Sequence, residues 1–151
     1  MGSLRARGFT LFEIVVVLAL IVIMVGAMAP SLSGYEGVSA RHEGRRLVAL
    51  LAAARAQAIV TGVPYRVDFR PRGYAFLTLD RRGRFRVVKA RILRARRLPL
   101  GVTLVLLRAR RMVMFSPSGL SQPFRIEIVG NSGRFVVTGD SNGDINGSVR
   151  S

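Results

Sequence analysis

The chain begins with a long apolar segment that carries a single charge. From Phe9 to Ala29 the only charged residue is Glu13, and the short stretch before it holds Arg5 and Arg7 but no acidic residue. As an α-helix at about 1.5 Å per residue, this segment would be roughly 32 Å long, close to the hydrocarbon thickness of a bilayer. Because positive charge retains a short flank in the cytoplasm, the pattern predicts a membrane helix with everything from about Ser31 on the far side.

Two simpler interpretations of this segment are a cleaved secretory signal and a plain membrane anchor. Ala27-Met28-Ala29 has the small-x-small pattern of a signal-peptidase site, but Pro30 would directly follow the cut. The apolar run is also longer than the roughly 7–15 residues typical of a signal. Neither interpretation accounts for Glu13, since a carboxylate near the centre of a bilayer costs on the order of 2.5–3.5 kcal/mol, and less near its edge.

A second helical pattern follows a polar, glycine-bearing break at residues 31–37. Between Val38 and Val60 the apolar residues recur at spacings of three and four, and arginines occupy other positions. The apolar stripe comprises Leu47, Leu50, Leu51, Ala54, Ala58 and Ile59. Gly62 and Pro64 mark the end of the pattern. The sequence predicts one long helix from about Phe9 to Val60, bent or loosened near Pro30 and Gly34, whose second half packs on the C-terminal part of the chain.

Beyond Pro64 the apolar period changes from 3.6 to 2, which indicates β-strands. Candidate strands are Tyr65–Arg70, Tyr74–Leu79, Phe85–Lys89, Val102–Leu107, Met112–Phe115, Phe124–Val129 and Arg134–Thr138. Glycine-bearing turn sequences separate them, as in antiparallel meanders. The predicted fold class is α+β: a long N-terminal helix packed on an antiparallel β domain of about six or seven strands.

Composition narrows the classes of function. The 151 residues suffice for one domain, and the absence of cysteine excludes disulfides, thiolate metal sites and thiol nucleophiles. The single histidine, His42, leaves no multi-histidine metal site, and we interpret it as a surface residue of the helix start. With no nucleotide-binding or hydrolase motif and no evident carboxylate pair, the sequence offers no catalytic residue and no cofactor site.

The N-terminal junction resembles a known family. Gly8-Phe9-Thr10-Leu11-Phe12-Glu13 followed by a long apolar helix resembles the class III leader junction of type IV pilins and type II secretion pseudopilins. The resemblance implies cleavage by prepilin peptidase between Gly8 and Phe9 and N-methylation of Phe9. Glu13 then takes the place of the family's glutamate at the fifth mature position. Pro30 matches the family's helix-kinking proline.

The resemblance gives Glu13 a role in assembly. Cleavage would create a cationic amine at Phe9, which repels the positive end of the helix dipole, and a glutamate one turn away can neutralise such an amine. In the family the partner amine belongs to a neighbouring subunit. The expected organisation is a leader at residues 1–8, a transmembrane and assembly helix at 9–30, and a periplasmic domain at 31–151. That domain would hold a helix at about 38–60 and a β region at about 64–151.

The rest of the chain extends the resemblance to the minor pseudopilin H family of type II secretion and the related FimT/FimU-type minor pilins of type IV pili. The matching features are a basic, alanine-rich helix (46–59), two turns (98–102 and 114–119) and a late strand (133–137). The resemblance implies a pilin-like fold and a structural role in a pseudopilus for protein export. The chain would be single-pass in the bacterial inner membrane, with a cytoplasmic N-terminus and a periplasmic C-terminal domain. Its partners would be other pseudopilins or pilins, prepilin peptidase and the membrane. The alternatives are a minor type IV pilin that primes pili or binds DNA, and a membrane-tethered binding module that never assembles.

Positive charge is concentrated in one stretch. The net charge is +16, and residues 81–111 contain twelve cationic residues and no acidic one. Arg81, Arg82, Arg84 and Arg86 would lie around a hairpin tip, with Phe85 as a stacking ring. Such a cluster is a solvated surface, a contact for anions such as DNA, or a contact for acidic surfaces of other subunits or of exported cargo.

A last motif lies near the C-terminus. Asp140, Asn142 and Asp144 match the opening of a calcium loop, but Ile145 and Ser151 stand where that loop needs glycine and glutamate. Asn142-Gly143 and Asn146-Gly147 are also hairpin signals. A turn is therefore the favoured interpretation, and calcium is the weaker alternative.

Overall fold

The structure is a computed structural model that describes residues 11–27, 32–107, 111–131 and 133–150. It contains two helices, α1 (Leu11–Ala27) and α2 (Leu32–Thr61). The chain divides into two compact units, Met1–Leu32 and Ser33–Ser151. Most of the predicted long helix is helical, but its expected bend at Pro30 lies outside the described residues.

Helix α2 begins earlier than the sequence pattern indicates. Residues 31–37 were expected to form a break, yet α2 starts at Leu32 and contains Gly34 and Gly37. The helix continues through this polar stretch, in keeping with the long helix predicted up to Val60, because an interior glycine lowers helix stability by only about 1 kcal/mol and does not by itself end a helix. The predicted core face is confirmed at Leu47, Leu51, Ala54 and Ala58, which are all fully buried, and Leu50 is partly buried. Ile59 was also assigned to the stripe, but it is 48% exposed because it lies in the last turn of the helix.

Nine strands follow α2 in the described part of the chain. They are β1 (Tyr65–Arg70), β2 (Gly73–Leu79), β3 (Phe85–Val87), β4 (Arg96–Arg97), β5 (Thr103–Leu106), β6 (Met112–Phe115), β7 (Phe124–Gly130), β8 (Gly133–Gly139) and β9 (Ile145–Arg150). The seven predicted strands all form, with end shifts of up to two residues. Strands β4 and β9 were not predicted.

The strands form two antiparallel sheets. The first sheet has the order β3-β2-β1-β6, and β4 pairs with the same edge of β2 as β3. The second sheet has the order β5-β7-β8-β9. Alternation decides which side chains face inward: in β1, Tyr65, Val67 and Phe69 are buried and the residues between them are not.

The core joins α2 to the inner faces of both sheets. Its largest fully buried side chains include Phe76 and Phe115 of the first sheet and Ile126 and Ile128 of the second. The helix and the second sheet approach closely around Phe135, whose ring fills the space where a Cβ atom on Gly44 or Gly147 would lie. A glycine in α2 therefore admits an aromatic ring from β8.

Candidate functional site

The residues expected to govern processing lie at the N-terminus. Gly8, Phe9 and Pro30 are outside the described residues, whereas Glu13 lies in the first turn of α1. Its described side chains, those of Phe12 and of residues 14–21, are all apolar and exposed, and Phe12 and Leu20 expose 75% and 57% of their surface. Exposed apolar side chains all round a helix need an apolar environment. Neither α1 nor α2, as far as the structure describes them, is both long enough and apolar enough to cross a membrane.

The arginine-rich hairpin between β2 and β3 is organised by Asp80. Its carboxylate accepts hydrogen bonds from the backbone N–H groups of Arg82 (2.8 Å) and Arg84 (3.0 Å) and from Nε of Arg86 (2.9 Å). The bond from the Arg84 backbone and the Arg86 side chain lower the pKa of Asp80 below its ordinary value. Arg81, Arg82 and Arg84 lie in the hairpin turn and Arg86 lies in β3. Asp80 Oδ2 is 2.9 Å from Nε of Arg86 and 3.8 Å from Nε of Arg84, so two of the four arginines are paired with an acid.

The aromatic ring beside this hairpin is covered. The guanidinium of Arg66 lies over the Phe85 ring, 4.5 Å from its centroid. Arg66 is held there by Asp68, with Nε 2.9 Å from Oδ1 and Nη2 3.0 Å from Oδ2. One face of Phe85 is therefore occupied by a residue of the same sheet, and the expected stacking platform is incomplete.

The cationic stretch after β3 includes a buried ion pair that the sequence pattern did not reveal. Arg96 donates from Nε to Oε2 of Glu43 (3.0 Å) and from Nη2 to Oε1 (2.6 Å). Glu43 is only 3% exposed, although its neighbours Arg41 and His42 are exposed. The hydrogen bond to Glu43 raises the pKa of Arg96. No local signal could have found this pair, because its members are 53 positions apart.

The other residues of this cationic stretch differ in their exposure to solvent. Leu93 is buried and anchors the segment, whereas Lys89, Arg91, Arg94 and Arg97 are exposed. Arg111 is also exposed, and Arg108 and Arg110 lie outside the described residues. The twelve cationic residues therefore do not form one site, although the hairpin group stays together.

The Glu43–Arg96 pair lies beside the phenol of Tyr74. Burial, followed by the charge of Glu43, raises the pKa of Tyr74 from 10.0 to about 12. The hydroxyl is buried and has no hydrogen-bond partner among the described residues. Tyr74 is thus held in its neutral form in the interior.

The calcium-like segment forms the turn between β8 and β9. Asp140 Oδ1 accepts the N–H of Asp144 (2.8 Å), so this carboxylate oxygen serves the turn itself. The guanidinium of Arg55 lies against the same turn: Nη2 donates to the carbonyl of Asn142 (2.8 Å) and Nη1 is 3.8 Å from Asp144 Oδ1. Arg55 Nε also donates to the carbonyl of Gly119 (2.9 Å). A cationic side chain from α2 therefore faces the oxygens to which a metal ion would bind.

The described residues contain no arrangement typical of catalysis. Among these residues, no group of three or more histidine, cysteine, aspartate or glutamate side chains is placed to bind a metal ion. The second buried acid, Glu127, lies on the outer side of β7, 3.7 Å from Arg150 and 4.0 Å from Arg134.

Comparisons with known proteins agree with this architecture. The minor pseudopilin EpsH from the type 2 secretion system of Vibrio cholerae has a similar structure, with a TM-score of 0.66 at 18% identity, over 74% of this chain and 97% of EpsH. The type IV minor pilin FimU of Pseudomonas aeruginosa is similar with a TM-score of 0.56 at 18% identity, over 72% of this chain and 91% of FimU. At these identities the likeness shows a shared fold.

The sequence comparison is more specific. No curated protein matches the chain significantly. The family model of the type II transport protein GspH matches residues 43–143, which is more than half of the 151 residues. The matched region starts at the buried Glu43 and ends in the β8–β9 turn, so it covers most of the core. The chain therefore belongs to the GspH family of type II transport proteins, the minor pseudopilin H family.

Proposed function

We propose that this minor pseudopilin is a membrane-anchored subunit that assembles into the periplasmic pseudopilus of a type II secretion system. The observation that carries the proposal is the GspH match over residues 43–143. The order of the elements supports it, since an apolar helix that can act as a membrane anchor precedes a folded domain made of a helix packed on two sheets. The role is structural, in keeping with the two buried acids of the described residues, Glu43 and Glu127, which pair with arginines of other elements.

The N-terminal segment would supply the anchor and the assembly contact. Prepilin peptidase would cut between Gly8 and Phe9 and methylate Phe9, and the new amine would pair with Glu13 of a neighbouring subunit. The position of Glu13 within α1, four residues after Phe9, supports this role, since a carboxylate near the amino end of the mature chain can neutralise a terminal amine. The exposed apolar side chains of α1 would be covered by lipid before assembly and by other helices afterwards.

The alternatives have less support. A minor type IV pilin shares the fold, as FimU does, but the family model that matches this sequence is that of a type II transport protein. Binding of DNA at the hairpin is disfavoured by Asp80, which holds Arg86, and by Arg66, which covers Phe85. A tether that never assembles leaves Glu13 without a function.

Deletion of the gene in its own host tests the proposal. We expect export of type II cargo to fall and to return when the wild-type chain is supplied, while pilus-driven motility and DNA uptake stay unchanged. Loss of motility or uptake with normal export would instead assign the chain to a type IV pilus. A deletion strain without either defect would contradict both assignments.

A further inference from the structure

The first sheet has an apolar outer face. On the side of the sheet away from the core, register places Met114, Arg66, Leu77 and Val87 in one row across β6, β1, β2 and β3. We call the apolar members of this side the outer apolar face: Met112, Met114, Leu77, Leu79, Phe85 and Val87. Strands β6, β2 and β3 supply these side chains, and β1 lies between β6 and β2.

The outer apolar face is exposed to solvent, and its side chains lie next to one another. Met112, Met114 and Val87 expose 42%, 40% and 52% of their surface. Leu77 is 9% exposed but is not part of the core cluster, so its neighbours on the outer face are what cover it. Contiguous exposed apolar surface on a folded domain indicates an interaction site.

The charges at the centre of this face cancel. Arg66 and Asp68 form an ion pair at 2.9 Å, and the same guanidinium lies on the Phe85 ring. The pair adds no net charge, and the methylene groups of Arg66 extend the apolar surface. A partner can therefore cover the centre without meeting an unmatched ion.

Both ends of the face are cationic. Arg81 and Arg82 lie in the β2–β3 hairpin at one end, and Arg70 and Arg72 lie at the β1–β2 turn at the other. Among the described residues, no carboxylate lies within 4.0 Å of these four side chains. The seven residues of β2 separate the two ends by roughly 20 Å at about 3.3 Å per residue.

A groove extends the face at the C-terminal end of β1. It has a volume of about 680 Å³ and is lined by Leu104 and Leu106 of β5, by Met112 of β6, and by Arg70 and Arg111. The central ion pair of Arg66 and Asp68 also lines it, so the groove repeats the composition of the face, with apolar side chains beside arginines and this pair. The surface is thus concave on this side, which suits a protruding side chain of a partner.

We propose that the outer apolar face is the docking surface for a different subunit of the same filament, one that presents apolar side chains flanked at both ends by acidic ones. The inference rests on the proposed function and adds the surface and the chemistry of the partner. A second copy is disfavoured as occupant by charge, since a chain of net charge +16 repels itself. Methionine, aromatic side chains and arginine are the residues enriched in protein interfaces, whereas a nucleic acid would leave the central methionines and valine unpaired.

Site-specific photo-crosslinking of the full chain in its host membrane tests the proposal. Benzoylphenylalanine is placed at Val87 or Met114, and at Leu100 as the control, because Leu100 is 93% exposed and lies in the turn between β4 and β5, outside the residues that form the face. We expect the first two positions to crosslink to one acidic filament subunit, identified by mass spectrometry, and Leu100 not to. Changing Arg81→Glu with Arg82→Glu should reduce the yield at Val87 by about fivefold or more, whereas Arg91→Glu with Arg94→Glu, an equal change of exposed charge, should leave it unaltered.

Other outcomes overturn the proposal. Crosslinks from Val87 and Met114 to nucleic acid or to a second copy would show a different occupant, and equal crosslinking from Leu100 would show no preference for the face. Absence of crosslinks at Val87 and Met114 in a chain that still co-isolates with other pseudopilins would refute the docking surface and leave the proposed function standing. A chain that does not co-isolate with any pseudopilin would contradict the proposed function and the docking surface together.

Discussion

Glu43 of α2 and Arg96 of β4 form a bidentate ion pair that ties the helix to the edge of the first sheet. The two bonds measure 3.0 and 2.6 Å, and Glu43 is 3% exposed. Two parallel N–H···O bonds fix orientation as well as distance. The pair therefore sets where the segment between β3 and β5 lies against the helix.

Removal of the Glu43 charge should destabilise the domain. In Glu43→Gln the guanidinium of Arg96 loses its ionic partner in a partly buried position, which should lower the free energy of unfolding by about 1–3 kcal/mol. Urea unfolding of the fragment 33–151, the second compact unit, measures this change. Arg41→Gln on the same helix is the control, because Arg41 is exposed and should shift stability by less than about 0.5 kcal/mol. Equal stability of the two variants would show that the pair contributes nothing.

Tyr74→Phe should remove an alkaline transition. The pKa of Tyr74 is raised from 10.0 to about 12, so the folded state holds the phenol proton more tightly than the unfolded state. The resulting stability is complete below pH 10 and is lost as the pH rises to about 12. Tyr74→Phe should lack this loss, and at pH 7 it should be as stable as the wild type because the hydroxyl has no hydrogen-bond partner among the described residues.

The control for this measurement is Tyr65→Phe, which keeps Tyr74 and should retain the alkaline loss of stability. Unfolding midpoints measured at pH 8, 10 and 11 compare the variants. A Tyr74→Phe variant that loses stability with pH as steeply as the wild type would contradict the assignment.

Gly44→Ala should destabilise the protein, against the usual rule for helices. Alanine in a helix is ordinarily more stable than glycine by about 1 kcal/mol. At Gly44, however, a Cβ atom would lie within the ring of Phe135. Overpacking of this kind costs about 1–3 kcal/mol. Thermal unfolding measures the sign, and Phe135→Leu combined with Gly44→Ala should cost less than the sum of the single changes, since the smaller side chain relieves the overlap.

Glu13→Ala should separate membrane insertion from assembly. Removal of a carboxylate from an apolar segment favours insertion, so the chain should remain in the membrane fraction. Crosslinking to neighbouring pseudopilins should fall several-fold, because the neighbour's terminal amine loses its partner. Glu36→Gln, outside α1, is the matched loss of one acidic charge. Crosslinking that is unchanged in Glu13→Ala would refute the assembly role.

The sequence pattern predicts those parts of the fold that depend on local periodicity. Leu47, Leu51, Ala54 and Ala58 recur at helical spacing and all four reach the core. Strands β1 and β6 begin and end where the alternation of apolar residues does. These features depend on which face of a helix or strand is exposed to solvent. The spacing of apolar residues within a short segment shows that face without information from distant residues.

Features that depend on distant partners were not predictable. Strand β4 consists of two arginines, and β9 has the sequence INGSVR, in which Asn146-Gly147 favours a turn. Both form strands because a neighbouring strand supplies hydrogen bonds. The burial of Glu43 likewise depends on Arg96, and the arrangement of strands in two sheets depends on the whole core. The hairpin arginines were identified from their spacing, but their restraint by Asp80 and the covering of Phe85 by Arg66 depend on side-chain geometry.

The most direct test of the central claim is the composition of the assembly that contains the mature chain. The full-length protein is crosslinked in living cells, isolated from membranes through a C-terminal tag, and analysed by mass spectrometry for its own N-terminus and for its partners. The account predicts a chain that starts at N-methylated Phe9, isolated with other pseudopilins of a type II secretion system. A chain with intact Met1 or a start at Pro30, or one isolated with type IV pilus subunits alone, would contradict it.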